Sequence, residues 1–517
     1  MKYKILWADD EIDFLRPHVM FLSDKGYDVT CVMNGADALE RARQNNYDLI
    51  FLDEKMPGIS GLDTLSEIKN ISPATPVVMI TKSEEESLMN KAIGKKISEY
   101  LIKPVNPNQI WLACKKLLES NRLKEGAAAQ DYISEFNRIT QELMGPMDDE
   151  DWRDLHRRLS EWEVELDEHP NLDLRETLVG QKRECNLAFS RFIENNYADW
   201  CATEKDTRPM LSVDVLEKKV IPELDNDGSV FFFVIDCLRY DQWLILERTL
   251  QNYFNIEHDS YFSILPSATP YARNAIFSGL FPADIAKRLP SKWIIAPEAE
   301  QSRNSFEQDF LEDFLKRRRV SVKSAKYTKL IGADDSRTYE QTILGQVKNK
   351  LNAVVVNFVD ILAHSRFDSQ VIRELSPDEA AYRSLTQTWF EYSSLHRTLK
   401  ALANEKVTII LTTDHGSIRS MRHTKVIGDR EASTNLRYKF GRNLQCDQKH
   451  AIYIKDPATY RLPRQKLNEN CIIAKEDYYF VYPTNYHKFI NQYKDSFQHG
   501  GVSLEEIVVP CMRLTPR

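Results

Sequence analysis

The sequence predicts an α/β protein in three parts: a doubly wound domain over residues 1–120, a helical segment over 121–205 and a larger doubly wound domain over 206–517. Three observations predict this. Five short apolar runs alternate with helical stretches in the first 120 residues. Strand-like runs then stop from about Asn108 to Trp200. They return beyond, and three of them lead into aspartates.

The first run is Tyr3–Trp7, followed by Asp9-Asp10-Glu11. Leu15, His18, Val19 and Leu22 then repeat at helical spacing up to a stop at Lys25-Gly26. Val29–Val32, Leu49–Leu52, Val77–Ile80 and Tyr100–Ile102 are the other strands. In a doubly wound sheet, functional groups collect at the carboxyl ends of the strands. Asp9 and Asp10 fall after the first strand, Asp53 after the third, Thr81 after the fourth and Lys103 after the fifth. Three carboxylates in one pocket suit Mg²⁺, a hard cation that takes oxygen ligands and keeps several waters. A carboxylate beside it can attack phosphorus, with the lysine and hydroxyl holding the phosphoryl oxygens.

In the middle segment, Ile133, Phe136, Ile139 and Leu143 mark one amphipathic helix, ended by Gly145-Pro146. Trp152, Leu155, Leu159, Trp162 and Leu166 mark a second, and Leu174 to Phe192 a third. The expectation is a small bundle that joins and spaces two larger domains, with the GAAAQ stretch at Gly126 as a candidate hinge. The Trp152/Trp162 stripe reads as core packing. No helix–turn–helix with a basic recognition helix is evident.

In the last part, Val230–Ile235 ends in Asp236, Ala353–Val359 ends in Asp360, and Val407–Leu411 leads to Asp414-His415. His364 follows Asp360 by four residues, which places both on one helix face. His499 lies in FQHGGVSLEEIVVP. Two donor sets result: Asp360, His364 and His499, and Asp236, Asp414 and His415. Mixed nitrogen and oxygen sets suit Zn²⁺, with Mn²⁺ second, and a pair of such ions can clamp a phosphoryl displacement. Thr269, in LPSATPYARNAIFSGL, is the candidate nucleophile. Arg239, Arg273 and Asn274 are candidates to hold phosphate oxygens, although Arg239 and Asp241 could equally form a structural ion pair.

The stretches ILWADDE, LIFLDEKMPGISGLD, VVMITK and YLIKP resemble the response-regulator receiver domain, from Met1 to about Leu118. The resemblance implies a flavodoxin-like fold. It makes Asp53 the phosphoacceptor and Asp10 the main Mg²⁺ ligand, with Asp9 and the Lys55 carbonyl assisting. Thr81 and Tyr100 become the switch pair, beside Lys103. Glu54 replaces the family's usual apolar residue and is expected to point away. The Lys103-Pro104 bond is a candidate cis peptide.

The stretches VFFFVIDCLRYDQW, LPSATPYARNAIFSGLFP, NFVDILAHSR, LTTDHGS and FQHGGVSLEEIVVP resemble the PglZ branch of the alkaline-phosphatase superfamily, from about Leu211 to Pro510. By that resemblance Thr269 is a covalent nucleophile between two zinc ions. The P-S-A-T motif favours diesters over monoesters and lacks the cysteine that sulfatases convert. A zinc-stabilised binding module and a phosphomonoesterase are the alternatives.

A receiver, a helical linker and a PglZ domain in one chain resemble the response regulators associated with type IX secretion. That implies a sensor histidine kinase as phosphodonor and a sigma factor as candidate partner. It also implies linear or cyclic oligonucleotides as substrates and a phosphorylation-dependent homodimer. The net charge of −8 argues against a wholesale nucleic-acid coat. No apolar run approaches the ~18–20 residues of a membrane span. The eight cysteines form no C-x-x-C pair, so no disulfide framework is indicated. With an N-terminus unlike a signal peptide, the expected location is the cytoplasm.

Overall fold

The computed structural model describes residues 3–82, 97–169, 174–293, 304–320, 322, 324–428, 435–464, 468–484 and 486–517, with only the backbone of 119–127 and 367–368. The chain divides into two compact units, Met1–Ser134 and Glu135–Arg517.

The first unit is built on β1 (Lys4–Ala8), β2 (Asp28–Val32), β3 (Leu49–Asp53), β4 (Val77–Thr81) and β5 (Glu99–Ile102), in the order β2-β1-β3-β4-β5. All pairs are parallel. Alternate residues face opposite sides of the sheet. Leu6, Ile50, Leu52 and Met79 therefore pack with Leu39, Leu65 and Ile68 on one side. Ile5, Trp7, Phe51 and Ile80 pack with Leu22, Ile110 and Cys114 on the other. Three of its helices start on side-chain caps, at Asn34, Ser60 and Asn106. Asn34 accepts from the Asp37 amide at 2.8 Å, and Asn106 and Gln109 form a reciprocal box at 2.9 Å each way. The expected helix before Gly26 is present as a 3₁₀ turn, Ile12–Leu15, running into helix Arg16–Asp24. The helix expected between β4 and β5 lies outside the described residues. The GAAAQ stretch lies within a helix, Ser120–Glu142, with no break there.

The second unit carries β6 (Ser229–Ile235), β7 (Phe254–Glu257), β8 (Ser260–Phe262), β9 (Ala325–Leu330), β10 (Leu351–Val356) and β11 (Val407–Thr412). Seven short or terminal strands follow: β12 (Ile418–Ser420), β13 (Arg422–Lys425), β14 (Tyr438–Arg442), β15 (Ala451–Ile454), β16 (Glu469–Ala474), β17 (Tyr478–Val481) and β18 (Ser496–Gln498). The last is β19 (Val508–Pro516). The main sheet runs β7-β19-β11-β6-β10-β9, with β8 also on β19. Strands β9, β10, β6 and β11 are parallel, and β19 is antiparallel to its neighbours. β6 and β10 are buried along their whole length, as continuous apolar runs require when helices cover both faces. Phe231, Phe233 and Ile235 face one core, and Val230, Phe232 and Val234 face the other.

One expected strand is shorter than its apolar run. β10 ends at Val356, its last partner on β6 being Ile235, and helix Phe358–Asp368 begins two residues later. Asp360 is therefore in the first turn of a helix, not at a strand end. Val359 continues the apolar run because it buries from that helix into the core.

From Glu135 onward, the segment expected as a spacer is part of this second unit. Trp152, 3% exposed, lies 5.3 Å from the ring of Phe189 and 5.8 Å from Phe192. Helix Asp149–Glu168 carries Asp167, which takes the Arg383 guanidinium at 2.8 and 3.0 Å. Among the described residues, no helix is long and apolar enough to cross a membrane.

Candidate active site

Each unit gathers acids at the carboxyl edge of its sheet. In the first, Asp9, Asp10 and Asp53 place carboxylate oxygens within 4.8 Å of one another. Asp9 and Asp53 are buried and Asp10 is exposed. Lys103 spans the buried pair, its Nζ at 2.9 Å from Asp9 and 3.1 Å from Asp53. One cation against three anions leaves negative charge that suits Mg²⁺. Burial and the neighbouring Asp9 push the Asp53 carboxyl above its usual range, with Lys103 opposing. Thr81, fully buried, shares a side-chain hydrogen bond with Tyr100, whose phenol burial pushes up. Lys55 is exposed in the turn after β3. Glu54 points away as expected, accepting the Leu62 amide at 3.0 Å at the start of helix Gly61–Ile71. The Lys103-Pro104 peptide is cis.

In the second unit, both expected donor sets assemble. Asp236, Asp414 and His415 form one, and Asp360, His364 and His499 the other, each within 4.8 Å. The sets adjoin, because His415 and His499 stack with ring centroids 4.3 Å apart. His415 Nδ1 lies 3.0 Å from the Gly416 carbonyl, which can only accept. That contact assigns the proton to Nδ1 and leaves Nε2 with its lone pair, 2.9 Å from Thr269 Oγ1. Thr269 Oγ1 is also 3.4 Å from Asp236 Oδ1. Thr269 opens helix Thr269–Ser278, so its hydroxyl is presented from a rigid element.

In the other set, Asp360 Oδ1 faces His364 Nε2 at 3.4 Å and His499 Nε2 at 3.6 Å. Among the described residues, Asp360 Oδ1 and His499 Nδ1 are buried with no hydrogen-bond partner. Burial pushes the His499 imidazole down to about 3, which keeps it neutral and fit to ligate. A buried, unsatisfied carboxylate oxygen facing two imidazole nitrogens is what a divalent cation completes.

The three residues expected to hold phosphate oxygens are engaged within the protein. Arg273 is fully buried. It donates to Asp414 Oδ2 at 3.0 Å, to Asp236 Oδ2 and to Asn357 Oδ1 at 3.1 Å. Burial raises the Asp236 carboxyl well above its usual range, against the pull of Arg273. Arg239 is 1% exposed and pairs with Asp241, its Nε donating at 2.9 Å. This is the structural ion pair. Asn274 donates to the Pro270 carbonyl of its own helix at 2.9 Å.

The loops are held by residues that the motif reading passed over. Glu307, 1% exposed, lies 3.6 Å behind Arg273, and nothing in its local sequence marks it. Glu506 accepts the Gly501 amide at 2.8 Å and the Arg437 guanidinium at 3.0 and 2.6 Å, which fixes the chain after His499. Its sequence signal is the S-x-x-E spacing: Ser503 caps the helix, accepting the Glu506 amide at 3.2 Å, and its hydroxyl donates to Glu506 Oε2 at 2.8 Å. Cys237, directly after Asp236, has φ +65°, a left-handed conformation that turns the chain off the strand.

Gly416 in the DHG motif is required by packing. A Cβ there would lie 1.9 Å from the Glu505 carbonyl oxygen. Gly416→Ala is expected to cost about 1–3 kcal/mol and to displace His415. A lowered thermal midpoint together with weakened divalent-cation uptake would be the readout; an unchanged midpoint would show that the loop yields freely.

The two units thus define a response regulator whose output part is an alkaline-phosphatase-like α/β domain. Residues 215–514 match the BREX system PglZ alkaline phosphatase-like domain, and because that match covers more than half of the chain, the protein belongs to the PglZ family. Residues 5–115 match the response regulator receiver domain, and residues 122–201 the PorX response regulator linker domain. Among curated relatives, the chain is 30% identical over 135 residues to the transcriptional regulatory protein ZraR of Klebsiella oxytoca, covering 26% of this chain and 30% of that protein. It is 35% identical over 115 residues to ResD of Bacillus subtilis, covering 22% and 48%. The chain thus spans less than half the length of these relatives. Among solved structures, Vibrio cholerae CheY4 aligns at 25% identity over 23% of this chain and all of that one, with a TM-score of 0.22.

Proposed function

We propose that this response regulator is a metal-dependent phosphodiesterase acting on linear or cyclic oligonucleotides. The observation that carries the reading is the Thr269 hydroxyl, 2.9 Å from His415 Nε2 and bordered by two adjoining donor sets. Asp236, Asp414 and His415 would hold one Zn²⁺, and Asp360, His364 and His499 the other. Bound there, the ions supply Lewis acidity for the phosphoryl oxygens and lower the pKa of a coordinated hydroxyl.

The chain's own residues do the rest. Thr269 Oγ gives up its proton and forms the bond to phosphorus, while the bond from phosphorus to the leaving alkoxide breaks and that oxygen takes a proton. Water then cleaves the phosphothreonine and restores the hydroxyl. Arg273 holds Asp236 and Asp414 from behind, which fixes their inner oxygens and offsets part of their charge.

In the receiver, Asp53 would accept the phosphoryl group from a sensor histidine kinase, with Mg²⁺ held by Asp9, Asp10, Asp53 and the Lys55 carbonyl. Phosphorylation would draw on the Thr81–Tyr100 pair and favour a homodimer. The proposed role in type IX secretion, with a sigma factor as partner, rests on the resemblance of the receiver, linker and PglZ arrangement, whose three parts each match a family model.

Zinc-loaded protein is expected to hydrolyse bis-p-nitrophenyl phosphate faster than p-nitrophenyl phosphate. A preference for the monoester would make it a phosphomonoesterase. No hydrolysis of either, with or without a small phosphodonor, would make the domain a zinc-stabilised binding module.

A further inference from the structure

The linker helix Arg175–Ala202 presents one face to the loops that carry the site. Along it, Lys182, Asn186, Ser190, Glu194 and Tyr197 recur at spacings of four, four, four and three, which is one side of an α-helix. Lys182 Nζ lies 2.9 Å from Glu505 Oε1. Asn186 donates to Glu505 Oε2 at 3.0 Å and accepts the Leu504 amide at 2.8 Å. Ser190 donates to the Val502 carbonyl at 3.3 Å, and Tyr197 accepts the Leu265 amide at 2.8 Å. Glu194 pairs with Lys475.

Apart from the Glu194–Lys475 pair, these contacts fall on two stretches of chain. One runs from His499 to Glu506, and the other leads from Leu265 to Thr269. The first touches both imidazoles. It begins at His499, and its Glu505 carbonyl packs on Gly416, the residue after His415. The Gly416 amide donates to the Glu506 carbonyl at 3.1 Å. Asn186 is 4% exposed and is bonded through both ends of its amide.

We propose that this helix is a working part of the active site, with Asn186 as the positioning residue that sets the His499–Glu506 strap and, through it, the His415 and His499 imidazoles. The helix belongs to the segment by which the chain passes from the receiver to the catalytic sheet. A shift of the helix would therefore move both imidazoles together. The inference rests on the reading of the two donor sets as divalent-cation sites.

The test is a Co²⁺ titration of the full chain, followed by visible d–d absorption. Asn186→Ala is expected to weaken cobalt binding about tenfold, the effect typical of losing a group that orients a ligand. Asn186→Asp keeps the volume and the acceptor for Leu504, but sets a carboxylate against Glu505, and is expected to weaken binding as well. A merely structural role would lower the melting point of the metal-free protein and leave cobalt affinity of the folded variants within twofold of wild type. That result overturns the proposal, as does failure of both variants to fold. Wild-type protein that takes up no cobalt overturns the cation reading and this inference with it. Wild-type protein that binds cobalt but cleaves no diester defeats the phosphodiesterase reading alone.

Discussion

Thr269→Val abolishes diester hydrolysis, by about 10³-fold or more, while divalent cations stay bound: that is the expected result with the largest effect. Valine keeps the β-branch and nearly the volume of threonine, so helix Thr269–Ser278 keeps its start and the six donor residues keep their places. What is lost is the one oxygen 2.9 Å from His415 Nε2. Thr269→Ser restores an oxygen at the same position and is expected to retain measurable turnover. Single-turnover kinetics with a radiolabelled diester would trap label on wild-type protein and on the serine variant, and none on the valine variant. Full turnover by Thr269→Val would place the nucleophile on water and end the covalent mechanism.

The second large effect concerns Asp53. Asp53→Asn is expected to remove all phosphoryl uptake from acetyl phosphate in the presence of Mg²⁺, read by phosphate-affinity electrophoresis. The amide is isosteric with the carboxyl. It lacks the nucleophilic anion, and it reduces the three-carboxylate set around Lys103 to two. Wild-type protein treated with the same donor is expected to elute as a dimer, and the variant to elute unchanged. Label retained by Asp53→Asn would move the acceptor to another carboxylate, Asp9 or Asp10 first. A wild-type elution volume that ignores the phosphodonor would count against phosphorylation-driven assembly.

The strands that carry the two sites were legible because their central positions are buried on both faces and so must be apolar throughout. Val230–Ile235 and Leu49–Leu52 leave little else to be. Both donor sets were also legible, since the Asp-His pair and the Asp-x-x-x-His spacing each place two ligands on one loop or helix face. What brings His499 to His415 is tertiary: the strap after His499 lies on Gly416, and no local spacing encodes that approach. The placing of Arg273 was hidden for a similar reason. An arginine near a phosphate site reads as a substrate clamp until two aspartates and Glu307 are seen to enclose it. β10 is shorter than its apolar run because a buried first helical turn and a buried strand share the same apolar composition.

The path of β19 bears on how the protein comes into being. This strand pairs with β11, whose residues precede it by about a hundred positions, and with β7 and β8, which precede it by about two hundred and fifty. Such distant pairings form slowly, after long stretches of chain are already in place. During synthesis, Asp236, Thr269, Asp360 and Asp414 emerge well before His499 and the strand that seats its strap. A nascent chain therefore carries Asp236, Asp414 and His415 well before His499 completes the second set. On the proposed two-cation reading, the second site is complete only once His499 and the strand that seats its strap are in place.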